Sequence, residues 1–174
     1  MKGKVHYLYH VVPPNMEGSI LYPLNKLKKK DQASYASQMQ KYEGREQLLK
    51  YQVPILDCLW NDVLFLTAVH PKKMMAALRG AGYNREHVLR SFQFDINQLD
   101  TGKIVVMLHR HGEKPTYEKF DSTRWTEYDV VPQDTLDHFR RQREKGEAFM
   151  FFGHVPHILY QGLLDTTGVP VVEG

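Results

Sequence analysis

The apolar segments of this chain are short, and their length constrains the possible folds more than any other feature. The longest runs, such as residues 63–68 and 104–108, have five or six residues, whereas a helix that crosses a bilayer needs about 20. Short apolar runs bounded by turn-forming residues are typical of buried β-strands. We therefore expect a globular protein in which such strands form much of the core.

The length and composition indicate one compact domain. The chain has 174 residues, of which 42% are hydrophobic and 25% are charged, so it can enclose a full core as globular proteins do. Because it contains no internal repeat, low-complexity tract or Gly/Ser-rich linker, we expect a single domain over residues 1–174. The first residues contain no apolar stretch followed by a cleavage site, which predicts a cytoplasmic protein without a membrane partner.

Seven segments have the residue types or the alternation of β-strands. They are residues 5–9, 63–67, 92–96, 104–109, 125–131, 149–152 and 169–173. Residues 155–160 fit either a helical turn or an extended segment. Because several strands follow one another without helices, we predict an α+β fold with a mixed or antiparallel β-sheet and flanking helices.

Three segments have the spacing of helices, namely residues 31–51, residues 71 to about 81, and residues 133–145. Asp31 is suited to cap the first helix, and Gly44 is suited to interrupt it. Pro71 is well placed at the first position of the second helix, which Gly82 can end.

The single cysteine and the mildly basic charge exclude few functions. Cys58 cannot form an internal disulfide, and its apolar surroundings predict a buried packing role rather than a nucleophile. The formal net charge is +3, with basic clusters at residues 26–30 and 140–143. Such clusters can contact a nucleic acid or another polyanion, but a solvated helix or loop face is the favoured interpretation.

Several common catalytic motifs are missing. The sequence has no G-x-G-x-x-G, no G-x-x-x-x-G-K-[ST], no H-E-x-x-H and no G-x-S-x-G. Rossmann dinucleotide sites, P-loops, zinc-dependent proteases and α/β-hydrolases are therefore not indicated.

The nine histidines are the main candidates for chemistry. His109 and His111 would share one face of a strand, as metal ligands can, but their polar neighbours favour a solvated loop, and we predict no metal site. His154 and His157 lie three residues apart around Pro156, and either could enter a cleft.

His10 differs from these in its context. It ends an apolar strand just before a loop stiffened by Pro13 and Pro14, where a rigid scaffold can hold a side chain against a ligand. Imidazole can hydrogen-bond a ribose hydroxyl or act as a base near neutral pH. The alternative is a structural histidine bonded to a loop carbonyl.

Three segments, in the expected order, resemble motifs of the ADP-ribosyltransferase superfamily. Tyr7-Leu8-Tyr9-His10, followed after a short loop by residues 18–21, is similar to the opening strand of the family, which ends in Tyr-His. Residues 62–71 resemble its second strand and the start of the helix that closes the NAD pocket. Residues 149–156 are similar to the late strand near its third motif.

This resemblance implies a split β-sheet that binds NAD, as a substrate, in the cleft between its halves. Tyr9 and His10 would bind NAD, with His10 on a ribose hydroxyl, and Phe65 or Thr67 would lie beside the nicotinamide. Many members place a catalytic Glu in the third motif, for which the candidates here are Glu147 and His154. The implied activity is ADP-ribosyl or related transfer to an unknown acceptor macromolecule.

Two other functions stay open from the sequence. The departures in the third motif, together with the expectation that aromatics such as Tyr117, Trp125 and Tyr128 lie at the surface, are consistent with a non-enzymatic ligand- or protein-binding module of the same fold. The basic clusters and histidines permit a nucleic-acid-processing protein. However, basic and aromatic residues do not interleave along the sequence as stacking platforms usually require.

Overall fold

The structure is a computed structural model that describes residues 5–174. The strands in these residues are β1 Tyr7–Val11, β2 Ile20–Leu21, β3 Gln52–Val53, β4 Cys58–Leu59, β5 Leu64–Leu66, β6 Arg90–Asp95, β7 Ile104–Leu108, β8 Thr116–Lys119, β9 His157–Tyr160, β10 Leu164–Asp165 and β11 Val171–Glu173. The α-helices are α1 Leu24–Lys30, α2 Gln32–Met39, α3 Pro71–Gly80, α4 Trp125–Tyr128 and α5 Gln133–Lys145. This mixture confirms the predicted α+β class.

Two antiparallel sheets meet at a single point. The first sheet has the strand order β1-β6-β11, and the second has the order β5-β9-β7-β8. They are joined where Tyr9 and Thr67 exchange two backbone hydrogen bonds, with N-to-O distances of 2.8 and 3.0 Å. Beyond this pair, no ladder between the described strands continues from one sheet to the other. The two sheets therefore form a split arrangement around the Tyr9–Thr67 junction.

One hydrophobic core lies under both sheets. Leu8 of β1 and Phe94 of β6 belong to the same cluster as Leu66, Val106 and Ile158 of the second sheet, and each is at least nine-tenths buried. Burying an aliphatic or aromatic side chain of this size contributes roughly 1.5–3 kcal/mol. The shared core holds the two sheets together where backbone pairing does not.

Opposite faces of the second sheet serve different purposes. Alternate residues of a strand point to opposite sides, so Leu64 and Leu66 face the shared core while Phe65 packs with Leu159 in a second cluster. Cys58 belongs to this second cluster and is buried, as predicted. Its burial, with a smaller effect from nearby carboxylates, raises the pKa of the thiol, which suits packing rather than nucleophilic chemistry.

Helices α3 and α5 pack together over a third cluster. Met74, Met75 and Leu78 of α3 meet Phe139 of α5 there, and all four are almost fully buried. Both helices lie close to their predicted bounds. Pro71 is the first residue of α3, as expected, and Gly146, which the sequence analysis did not single out, ends α5 with a φ of +67°. No helix within residues 5–174 is long and apolar enough to cross a membrane.

The helix predicted over residues 31–51 is shorter than expected. Asp31 caps α2 by accepting a hydrogen bond from the Ser34 backbone N–H, at 2.9 Å, as anticipated. The α-helix ends at Met39, and residues 40–50 form only 3₁₀ turns around Gly44, whose φ is +75°. No residue of α2 is buried, so no packing face extends the helix.

Two predicted strands are wrong. Residues 125–131 begin with α4, because Trp125 and Tyr128 bury the same face of one helical turn. Both rings belong to the shared core, so the expectation that they lie at the surface is also wrong. Residues 149–150 are irregular and residues 151–152 begin a turn, since the Gln142 side chain donates to the Ala148 carbonyl and accepts from the Met150 N–H, in place of a strand ladder. Residues 155–160, which fitted two structures, contain β9 in the middle of the second sheet.

Candidate ligand-binding site

A cavity of about 500 Å³ opens beside the Tyr9–Thr67 junction. Its wall comes from the end of β1, the loop that follows it, the segment that contains α1 and α2, and the strands β5 and β9. The lining residues include Tyr9, His10, Phe65 and Thr67, all four of which the sequence analysis assigned to NAD. The backbone bridge between Tyr9 and Thr67, the residue after β5, brings the end of β1 beside the end of β5.

His10 lines this cavity and retains one ring nitrogen as a hydrogen-bond acceptor. Its Nδ1 lies 2.8 Å from the carbonyl oxygen of Val11, and because a carbonyl only accepts, Nδ1 carries the hydrogen. Burial, with a smaller contribution from the Lys41 ammonium, lowers the pKa of His10 to about 4, although the hydrogen bond to Val11 opposes this change. At neutral pH the ring is therefore uncharged, and Nε2 has a free lone pair that can accept from a ligand hydroxyl.

His157, which also lines the cavity, has the same hydrogen-bonding arrangement. Its Nδ1 lies 2.9 Å from the Val155 carbonyl oxygen, and burial lowers its pKa to about 4. Its ring centroid lies 6.1 Å from that of Phe65 in an edge-to-face contact. The residue pattern allowed either His154 or His157 to enter a cleft, and the resemblance favoured His154. Strand alternation would have separated them, because His157 shares the face of Leu159 once β9 is recognised.

Aromatic rings form one wall of the cavity. The centroids of Trp60 and Phe65 lie 4.8 Å apart, and the Trp60 Nε1–H donates to the Tyr42 hydroxyl at 3.2 Å. All three rings line the cavity. Such a wall can stack against a planar heterocycle. The contribution of Trp60 and Tyr42 was missed from the sequence, because neither residue belongs to a recognisable motif.

Tyr9 and Thr67 have mainly structural contacts within the wall. Both are buried, and burial raises the pKa of the Tyr9 phenol. The Thr67 hydroxyl oxygen accepts from the Val69 N–H at 3.0 Å, while its backbone forms the bridge to Tyr9. These contacts keep the junction in place, and the Thr67 hydroxyl hydrogen stays available to a ligand.

Two carboxylates and two ammonium groups border the same space, namely Glu17, Asp31, Lys30 and Lys41. Asp31 is engaged as the cap of α2, and its hydrogen bonds with Ser34 lower its pKa. Glu17 lies exposed in the loop between β1 and β2. Glu17 is therefore the carboxylate in this wall that is not committed to a helix cap.

Glu147 and His154 do not line this cavity, although His154 lies near enough to His157 to help lower its pKa. Glu147 is exposed just after α5. The ring centroid of His154 lies 5.1 Å from that of His109, 5.8 Å from that of His111 and 5.0 Å from that of His138. The structure thus brings His10, Tyr9, Phe65 and Thr67 together and does not bring the two third-motif candidates to them.

The histidines around His154 do not form a metal site in their present arrangement. Within residues 5–174, no group of three or more His, Cys, Asp or Glu side chains is placed to hold a metal ion. The His154 Nδ1 is instead bonded to the His109 carbonyl oxygen at 2.9 Å, and His154 has a φ of +63°. Burial and the neighbouring histidines lower the pKa of both His109 and His138.

No protein-family model, no curated protein and no solved structure matches this chain.

Proposed function

We propose that this protein is an NAD-dependent ADP-ribosyl- or related transferase, with NAD bound as a substrate in the cavity beside the Tyr9–Thr67 junction. The observation that carries the proposal is the His10 ring, held neutral with a free Nε2 acceptor where the two sheets separate. A ribose hydroxyl is a suitable donor for that atom.

The other groups of the cavity suit the remaining parts of a dinucleotide. The His157 Nε2 is a second neutral acceptor for a sugar hydroxyl or an amide N–H. The ring wall of Trp60 and Phe65 can stack against a nicotinamide or adenine ring. Lys30 and Lys41 provide positive charge for a pyrophosphate. The cavity volume is within the range of sites that enclose a small-molecule ligand.

The proposed reaction breaks the glycosidic bond between ribose C1′ and the nicotinamide nitrogen. Nicotinamide leaves with the electron pair of that bond, the acceptor nucleophile bonds to C1′, and the acceptor proton is released to water. Positive charge builds on the ribose before the new bond forms, so a carboxylate nearby stabilises the transition state more than the ground state. We assign that role to Glu17, because it lines the cavity and Glu147 does not.

Isothermal titration with NAD and with ADP-ribose tests the binding step. We expect both to bind, and we expect His10→Ala to weaken binding about tenfold or more by removing the acceptor. His111→Ala is the matched control, since His111 is exposed and lies outside the cavity. No binding of either compound, or equal affinities for wild type and His10→Ala, would refute the proposal.

The amount of nicotinamide released from NAD, measured by chromatography, distinguishes a transferase from a binding module. Turnover that depends on Glu17 supports the transferase. Tight binding of NAD without any release of nicotinamide would instead support the non-enzymatic module. If Glu147→Gln or His154→Ala loses turnover while Glu17→Gln does not, the role of Glu17 is refuted. The catalytic groups would then lie near His154.

A further inference from the structure

Positive charge is concentrated in one segment beside the cavity. Residues 24–51 contain seven basic and three acidic side chains, a net charge of +4, whereas the rest of the chain carries −1. This segment contains α1, α2 and the 3₁₀ turns that follow, and it supplies part of the cavity wall. Although the net charge of the whole protein is small, the surface beside the proposed site is locally cationic.

Helix α1 directs its charge to solvent. Leu24 and Leu27 are buried, while Lys26, Lys28, Lys29 and Lys30 are all exposed. None of the ion pairs within residues 5–174 involves these lysines. We call these four residues the α1 lysines. Like charges crowded on one helical turn repel one another, so the helix would be more stable with a bound polyanion.

The α1 lysines are continuous with the aromatic wall of the cavity. Lys30 is one of the α1 lysines and also lines the cavity, as do Lys41, Tyr42 and Trp60. Tyr35 of α2 lies under the Lys28 ammonium, with its ring centroid 5.9 Å away. Tyr35, Tyr42 and Trp60 are each partly exposed. A cationic track beside accessible rings is the arrangement that binds single-stranded nucleic acids, whose phosphates need cations and whose bases need stacking surfaces.

We propose that the acceptor of the transferase is a single-stranded nucleic acid that binds along the α1 lysines and places one nucleotide at the cavity mouth. A single strand fits better than a duplex because its bases are free to leave the stack and enter a pocket. The identity of the acceptor rests on the proposed function, whereas the binding surface does not. In the transfer step, a hydroxyl or amino group of the nucleic acid bonds to ribose C1′, nicotinamide leaves with the electron pair, and the acceptor proton passes to water.

The binding test uses the full chain and a fluorescent oligonucleotide of about 12 nucleotides, as RNA and as DNA, with anisotropy measured over a salt series. The variant K26Q/K28Q/K29Q removes three α1 lysines that do not line the cavity. The control K72Q/R79Q/K145Q removes three exposed charges on α3 and α5 that form no ion pair within the described residues.

We expect the α1 variant to bind the oligonucleotide about tenfold more weakly than wild type, with the slope of log affinity against log salt reduced by about 2. The control should retain the wild-type affinity and slope. Equal weakening in both variants would overturn the proposal, because the binding would then follow net charge alone. Binding of phosphatidylserine vesicles through the α1 lysines, without binding of either oligonucleotide, would also overturn it in favour of a membrane surface.

Transfer of label from adenylate-labelled NAD to the oligonucleotide tests the acceptor assignment. We expect labelled RNA or DNA with wild type and with the control, and at least about tenfold less with the α1 variant at subsaturating oligonucleotide. NAD affinity, measured alone, should be the same in all three proteins. Oligonucleotide binding without NAD binding would refute the proposed function and leave the surface standing. NAD turnover without label on the oligonucleotide would refute the acceptor and leave the proposed function standing.

Discussion

Two partly buried histidines that are neutral near pH 7 are expected to make the protein sensitive to acid. Burial lowers the pKa of both His10 and His157 from 6.5 to about 4 in the folded protein, and unfolding returns each ring to water. The unfolded state therefore binds more protons between pH 6.5 and pH 4. The free energy that these rings contribute is complete above pH 6.5 and is lost as the pH falls through this window.

The size of the loss follows from the pKa difference. One pKa unit corresponds to about 1.4 kcal/mol, so each histidine lowers the free energy of unfolding by up to about 3 kcal/mol when the pH reaches 4. Access of water to the cavity makes this an upper limit. Because domains of this size are stable by only about 5–15 kcal/mol, the two rings together account for a large part of the acid lability.

Urea unfolding measured from about pH 7 to about pH 4 tests this reasoning. In His10→Gln and His157→Gln, the amide retains an N–H for the Val11 or Val155 carbonyl but does not titrate. Each variant should lose less free energy of unfolding than wild type across the window, by up to about 3 kcal/mol. The exposed His111→Gln control should follow wild type. Parallel curves for wild type and His10→Gln would refute the link between burial and acid stability.

Three other changes have defined outcomes. Gln142→Ala removes both hydrogen bonds to residues 148–150 and should lower the free energy of unfolding in urea by about 2 kcal/mol without changing NAD affinity; an unchanged urea midpoint would contradict this anchoring role. Glu17→Gln should slow nicotinamide release about tenfold or more while KM for NAD stays within about twofold; a change confined to KM would show that Glu17 only binds. Leu66→Ala should destabilise by about 3 kcal/mol, seen as a fall in Tm that exposed Leu163→Ala does not share.

Local signals determined several elements from the sequence alone. Helix α5 has its predicted bounds because its spacing and the left-handed Gly146 act within a few residues. Pro71 and Asp31 marked helix starts for the same reason, since a cap needs only its own helix. The predicted α+β class is confirmed because the order of strands and helices is itself a sequence property.

Where the local sequence pattern was ambiguous, tertiary contacts determined the secondary structure. Trp125 has a strand-like sequence context, but its burial together with Tyr128 in the shared core favours one helical turn. The aromatic run at residues 149–152 reads as a strand, but its edge-to-face contacts with Tyr83 and the Gln142 hydrogen bonds hold it in an irregular conformation that leads into a turn. Tyr83 lies far from residues 149–152 in the sequence, and Trp125 and Tyr128 share a core cluster with distant residues such as Leu8 and Ile158, so these partners fall outside a window of ten or so residues.

For the candidate site, the sequence singled out His10, Tyr9, Phe65 and Thr67, because all four lie on or beside two strands with strong local patterns. The tertiary structure decided that these residues share one cavity, through the bridge between β1 and β5. It also decided that His157 rather than His154 joins them, because β9 pairs between β5 and β7. The physical reason is that strand pairing and side-chain packing act between residues far apart in the chain, where periodicity and capping carry no information.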